Sequence, residues 1–421
     1  MRLIDLKRHC CTSSFMFIVE LIMQVMKPRS SNGNIIPFIP LDVVEKIFLA
    51  VDTQTLFHCS FVCRDWNSLI TSPDFISRNS EQALQSKNEV FLVKVCRYID
   101  NSESDIDTDV TFHECYSLHW DNHRLSLFRR LKTPTIDGFK TGKVLGTING
   151  LTCLVDHLHE QFVLWNPTIR KYVMLPQLSM TCCEVHRSSV GFGFDSTNND
   201  FKVVSLIHRN LKLHIVCVFS YATWSWKFFT KRTHPLPRCR VFKVAAPVFM
   251  NGILHWIAWN IDVGYQFILT FDLSHEVFGQ IFLPERIAEF DGFVSIFTTG
   301  ERLAVSKLVR GERQIYRKWY VWIMKQYRVY ESWTNIVRSE ERPYDRPNHK
   351  LIPKNVLGMR VNEDIIVEMG DGRILSYNPI ARRTKSLQGV DALGVIKDRI
   401  FIRYHTESLY LLEKKDEVIS Y

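Results

Sequence analysis

The stretch Ile39–Phe75, IPLDVVEKIFLAVDTQTLFHCSFVCRDWNSLITSPDF, decides how the chain is read. Apolar residues recur at Val43, Val44, Ile47, Phe48 and Val51, one stripe of a short helix. Pro40 stands where the chain enters that helix, a position that tolerates a missing N–H. A break follows at Asp52-Thr53-Gln54, with Thr53 expected to cap the next helix. Leu56, Val62, Cys63, Trp66, Leu69 and Ile70 continue the helical spacing, and Ser72-Pro73 is expected to stop it. Three helices this short carry more apolar surface than about forty residues can bury on themselves, so they need a partner. One partner is the rest of the chain. The other is a separate protein, favoured because the rest of the chain reads as β and offers no helical layer.

The chain has 421 residues, suited to one large domain plus a small one. Its hydrophobic content of 46% and charged content of 23% are ordinary globular values and argue against wholesale disorder. Eleven cysteines, scattered and without a CxxC pair, point to a reducing compartment rather than a disulfide framework. The net charge of +9 favours acidic partners, but no charge run or basic helix supports nucleic-acid binding. Phe15–Met26 is apolar apart from Glu20 and Gln24, with Lys7 and Arg8 upstream, like a signal-peptide core. It is too short to span a bilayer, and Lys27-Pro28-Arg29 follows instead of a small-residue cleavage site. Residues 1–34 are therefore expected to be an extension and linker, not a membrane anchor.

Ser77 to Asn88 reads as a polar connector, and the character changes at Glu89. Phe91–Val95 and Val110–Leu118 are strand-like, with a loop at 101–109 between them and a turn at Asp121-Asn122-His123 after them. Asn149-Gly150 joins two apolar runs, a strong hairpin signal. A second hairpin follows, Phe162–Trp165 and Tyr172–Leu175 around Asn166-Pro167. The pair of hairpins returns from Asn251-Gly252, more weakly from Gly300-Glu301, and again from Asn362-Glu363. Turns near Asn166, Tyr221, Asp272, Lys325 and Asn378 recur about every 50 residues, the period of kelch-like propeller blades. Five units fill Lys143–Gln388. Strands from both chain ends, before Lys143 and within Leu393–Leu412, are expected to complete a sixth. Residues 89–421 thus predict an all-β, six-bladed propeller behind a small all-α module, with an irregular β-sandwich as the alternative.

These residues carry a family resemblance. The order Pro40-Leu41, Val43-Val44, Ile47-Phe48, Leu56, Val62-Cys63-Arg64, Trp66 and Leu69-Ile70 resembles an F-box along its whole length, over residues 35–80. Asp52 stands where many plant members have proline, Val51 where leucine is common, and Ser60-Phe61 where an Arg-Cys or Arg-Phe pair is usual. Leu164-Trp165-Asn166-Pro167-Thr168, Gly191-Phe192-Gly193-Phe194-Asp195, Asp200-Phe201-Lys202-Val203-Val204 and Asn251-Gly252-Ile253-Leu254-His255-Trp256 resemble plant F-box associated domains. The resemblance implies that the helices bind the Skp adaptor of a cullin-RING ubiquitin ligase. The residues it points to are Pro40, Leu41, Val44, Ile47, Phe48, Leu56, Val62, Cys63, Trp66 and Leu69. It also implies that the β domain recruits a protein substrate, in the cytoplasm, the nucleus or both.

Sites for chemistry are sparse in the sequence. GFGFD lacks the third glycine and following helix of a dinucleotide fingerprint, and reads as strand glycines approached closely by a ring or backbone. His113, Cys115, His119 and His123 match no structural zinc spacing, and neither do His157 and His159. Cys59 and Cys63 are expected on one helical face, as core. Cys182-Cys183 is expected in a loop or at a strand edge. Lys307, Arg310, Arg313, Arg317, Lys318, Lys325 and Arg328 interleave with Tyr316, Trp319, Tyr320, Trp322 and Tyr327. Strand alternation, with aromatics inward and cations outward, accounts for that run. The expectation is a non-catalytic receptor without cofactor or metal, which binds neither nucleic acid nor membrane. The rivals are a scaffold that keeps the F-box without driving degradation and a hydrolase-like enzyme built on a propeller channel.

Overall fold

The computed structural model describes residues 41–85, 90–99, 111–136, 139, 143–156, 161–178, 188–209, 212–230, 235–242, 246–289, 292–310, 316–340, 353–391, 400–412 and 419–420. The expectations for the extension and linker, for Pro40, for the 101–109 loop, for His157 and His159, and for Cys182-Cys183 lie outside the described residues. No helix among the described residues is long and apolar enough to cross a membrane.

The helical module has four helices: α1 (Leu41–Leu49), α2 (Thr53–Cys59), α3 (Arg64–Ile70) and α4 (Pro73–Gln85). Asp52, rather than Thr53, caps α2, with its Oδ1 accepting from the Thr55 N–H at 3.0 Å and its Oδ2 from the Thr55 hydroxyl at 2.7 Å. A carboxylate at that position also meets the positive end of the helix dipole. Ser72-Pro73 does not end the helices. It starts α4, with proline at the first helical position and the Ser72 Oγ accepting from the Phe75 N–H at 3.3 Å. The expected connector is therefore largely helix. Arg78 on α4 pairs with Glu45 on α1 and with Asp74 one turn back, tying the last helix to the first. Cys59 and Cys63 do not share a helical face. Cys63 is the extended residue before α3 and is exposed, whereas Cys59 is buried.

The β domain begins with β1 (Val90–Ile99), β2 (Thr111–Trp120) and β3 (Leu127–Leu131). Blade one is β4 (Lys143–Ile148), β5 (Leu151–Val155), β6 (Phe162–Asn166) and β7 (Lys171–Met174). Blade two is β8 (Ser188–Asp195), β9 (Asp200–Arg209), β10 (Lys212–Ser220) and β11 (Ser225–Thr230). In blade three, β12 (Cys239–Val241) and β13 (Val248–Met250) share the edge of β14 (Ile253–Asn260), followed by β15 (Gln266–Asp272) and β16 (Val277–Phe282). Blade four is β17 (Gly292–Thr299), β18 (Arg302–Arg310), β19 (Tyr316–Met324) and β20 (Trp333–Glu340). Blade five is β21 (Asn355–Met359), β22 (Ile365–Glu368), β23 (Ile374–Asn378) and β24 (Arg383–Ser386). The innermost strand of blade six is β25 (Phe401–His405), which pairs with β1 and so joins the two ends of the propeller. A final short strand, β26 (Ile419–Ser420), pairs with β7.

Inner strands touch their neighbours around a complete circuit: β4 with β8, β8 with β13, β13 with β17, β17 with β21, β21 with β25, and β25 with β4. The fold is a six-bladed propeller. The tight turns follow from backbone chemistry. Asn149-Gly150 and Asn251-Gly252 both take positive φ at both residues, the conformation that suits asparagine followed by glycine in a two-residue hairpin. Gly191 and Gly193 on β8 make room for side chains of blade three. A Cβ at Gly191 would lie 2.8 Å from the Trp256 ring, and one at Gly193 would lie 2.8 Å from the Phe249 ring.

Blade faces are buried on both sides, so simple alternation fails in the basic run. Trp319, Tyr320 and Val321 are consecutive and all buried, facing different neighbouring blades. Lys307 is not outward but buried, donating to the Arg286 carbonyl at 2.6 Å. Lys318, Lys325 and Arg328 do face solvent. Two buried histidines bridge blades. His255 takes Tyr327 OH on Nε2 at 2.8 Å and the Val248 carbonyl on Nδ1 at 3.2 Å, so its proton resides on Nδ1. His405, on the closing strand, meets the Thr147 hydroxyl of β4 at 3.0 Å. Burial lowers each to about 4 from 6.5. A histidine held neutral contributes stability that is present above the unfolded pKa and is lost as pH falls from 6.5 toward 4. We expect the destabilisation caused by His405→Asn to be smaller at pH 4.5 than at pH 7 in urea titrations. An equal difference at both pH values would contradict a neutral His405 at the seam.

Candidate functional site

The helical module has an inner and an outer face. Val44, Phe48, Leu56, Cys59, Trp66, Ile70, Phe75 and Ile76 are buried in one continuous cluster with propeller residues. The propeller's share includes Leu151, Phe162 and Leu164 of blade one, Phe201 and Phe219 of blade two, and Leu409–Leu412 after the last inner strand. The β domain thus receives the helices without a helical layer, through turn ends and a strap of chain at 406–412. Asn166 fixes that strap, its Nδ2 donating to the Ser408 carbonyl at 2.9 Å and the Tyr410 carbonyl at 2.8 Å.

This arrangement divides the residues picked out by sequence. Val44, Phe48, Leu56 and Trp66 are interior and shape the helices rather than presenting a surface. Ile47, Val62 and Leu69 are half-buried and Cys63 is exposed. Leu41 opens α1. The residues picked out by sequence leave out three outward apolar groups of the module, Phe61 at 69% exposure, Leu84 at 56% and Val43 at 39%. Phe61 stands edge-on to Phe57 with ring centroids 5.0 Å apart. It borders a concavity lined by Cys63, Arg64, Asn67, Ser68 and Thr71. Asn67 braces the floor, its amide donating to the Ser60 carbonyl at 3.0 Å. The signal for Phe61 was present, as an apolar residue standing outside the helical stripe.

The second surface belongs to the propeller. Antiparallel order puts the short turns at 149–150, 167–170 and 221–224 at the end of the blades nearest the helices, where Ile169 and Tyr221 join the shared cluster. The outer strands of blades one, four and five end at Met174, Glu340 and Ser386, at the opposite end of the blades. Ionisable groups in the interior serve the scaffold. Lys202 pairs with Asp195 at 3.0 Å and donates to the Leu273 carbonyl at 2.7 Å, joining blades two and three. His119 engages Ser117 at 2.9 Å and the Leu125 carbonyl at 2.7 Å. Burial pushes the Cys59 thiol up to about 12, far from a reactive thiolate. Among the described residues no group of three or more His, Cys, Asp or Glu is arranged to hold a metal ion.

A small helical docking module sealed onto a closed propeller defines a class of two-headed binding proteins. Family models place the chain within that class: residues 36–78 match the F-box domain, and residues 107–392 match the F-box associated beta propeller domain. The chain belongs to the family of F-box proteins that carry an F-box associated β-propeller. Similar proteins from Arabidopsis thaliana include F-box/LRR-repeat/kelch-repeat protein At1g09650, 30% identical over 64% of this chain and 71% of its own length. F-box/kelch-repeat protein At3g23880 is 25% identical over 71% of this chain and 79% of its own. F-box protein CPR1 is 26% identical over 71% of this chain and 72% of its own.

Proposed function

We propose that this protein is the substrate-recognition subunit of a Skp–cullin–F-box ubiquitin ligase, acting in the cytoplasm, the nucleus or both. The observation that carries the reading is the two-sided helical module, with its inner face spent on the propeller and Phe61, Val43 and Cys63 left outward. The outer face docks the Skp-type adaptor and, through it, the cullin. The propeller holds a protein substrate by the loops opposite the helices. Ubiquitin transfer then proceeds by proximity, with the chemistry supplied by other subunits, and positioning alone contributes a large rate factor. The family resemblance adds Pro40 and Leu41 to the residues proposed to contact the adaptor.

The test is co-purification with the Skp adaptor and cullin, comparing the intact protein with Phe61→Asp. A charge at a position this exposed should leave the fold unchanged and cut adaptor capture at least tenfold. Undiminished capture by Phe61→Asp would remove the outer face from the docking surface. The scaffold reading shares this docking step, so the second readout is ubiquitin on proteins bound to the propeller. Adaptor and cullin capture without such ubiquitination would favour the scaffold.

A further inference from the structure

The outer edge of a propeller blade presents unpaired backbone N–H and C=O groups, which natural proteins cover or charge. Among the described residues, blade one alone receives a further strand there. Ile419 pairs with Tyr172 and Ser420 with Lys171, antiparallel. This added strand is short and loosely seated. It engages two of the four residues of β7, both of its residues are exposed, and the Ile419 side chain is 49% open to solvent. By contrast Tyr172 and Val173 on β7 are buried, so the edge itself is packed into the blade. Leu409–Leu412, the nearest described residues that precede the added strand, are all buried.

We propose that the outer edge of β7 is a strand-addition site for an extended peptide, and that Ile419–Ser420 occupy it in cis as a displaceable placeholder. The ligand class follows from the pairing. It is a peptide running antiparallel to β7 with a β-branched or aromatic residue opposite Tyr172, the cross-strand combination that favours an aromatic partner. Two exposed residues gain few contacts to offset the entropy of ordering them, so a longer strand with more pairs displaces them. A partner protein bound here would lie on the rim of blade one, a different place from the loops opposite the helices.

The experiment uses the full chain and a fluorescein-labelled synthetic peptide with the sequence of residues 414–421. Ile419→Pro removes a backbone donor and the strand geometry of residues 419–420 while leaving the propeller untouched. The Ile419→Pro chain is expected to bind the probe at least tenfold more tightly than the unaltered chain. Its Lys171–Met174 amides are expected to exchange faster in the absence of probe. A probe carrying the same proline should bind neither chain. Equal binding to both chains, no binding to the Ile419→Pro chain, or unchanged exchange would each overturn the proposal. No adaptor is present in this assay, so its outcome is separate from the test of ligase docking.

Discussion

Replacing Trp66 with alanine is expected to cost about 3–5 kcal/mol, the usual range for a large aromatic removed from a core. Trp66 is 2% exposed, stands edge-on to Phe48 with centroids 5.0 Å apart, and Phe48 in turn meets Phe75 at 6.5 Å. The three rings pack together within the cluster that the helices share with the propeller. The loss should therefore be concentrated there, with faster amide exchange across residues 41–76 and little change in blades three to five. Adaptor capture should fall as a consequence. The result that would sink this account is lost capture with unchanged exchange in the helices. Trp66 would then be a direct contact, as its place in the helical stripe first suggested.

Removing the carboxylate of Glu114 is expected to be comparably severe. Lys94 on β1 and Glu114 on β2 are both buried and meet at 2.6 Å, and Tyr116 OH donates to the other carboxylate oxygen at 2.9 Å. Glu114→Ala strips a buried ammonium of its carboxylate, and breaking a pair of this kind costs about 3–5 kcal/mol. Replacing both members by apolar residues of similar size, Lys94→Met with Glu114→Leu, should recover most of that loss, because desolvation of the pair disappears with its attraction. Urea titration of the two single variants and the double variant measures the coupling directly. Additive losses would show that the two charges are not energetically joined. Because β1 and β2 belong to the blade that closes the ring, the single variant should also loosen β25, readable as faster exchange at Phe401–His405.

Much of this architecture was legible because local chemistry fixes it. Asparagine-glycine pairs tolerate positive φ, so Asn149-Gly150 and Asn251-Gly252 marked hairpins before any fold was known. Turns near Asn166, Tyr221, Asp272, Lys325 and Asn378 recur about every 50 residues and carry the blade period, which leaves the strands of both chain ends for a sixth blade. Other elements were hidden for physical reasons. α4 buries Asn79 and Ser80 beside Phe75 and Ile76, so polar residues interrupt its apolar stripe. β3, with the sequence LFRRL, sits on an outer edge and shows no alternation. The docking of helices on the propeller depends on Leu409–Leu412, at the far end of the chain, which no local pattern connects to Trp66. The candidate site was only partly legible for a related reason. An apolar stripe reports that residues are buried without reporting by what. Val44, Phe48, Leu56 and Trp66 were assigned to a foreign partner when their own chain covers them.

The pairing of β25 with β1 also sets an order of events during synthesis. A ribosome delivers β1 through Ile99 and must still make everything up to Phe401 before the partner strand exists. At typical translation rates that interval is about 15–60 s. Throughout it, the inward faces of Phe91, Val93 and Val95 lack the cover that Ile402 later provides. The helices wait equally long, since Leu409–Leu412 emerge after every blade. The newborn chain therefore holds its earliest-made segments with apolar faces uncovered, and a truncated product of aborted translation would lack the Leu409–Leu412 cover of the helices at 41–85.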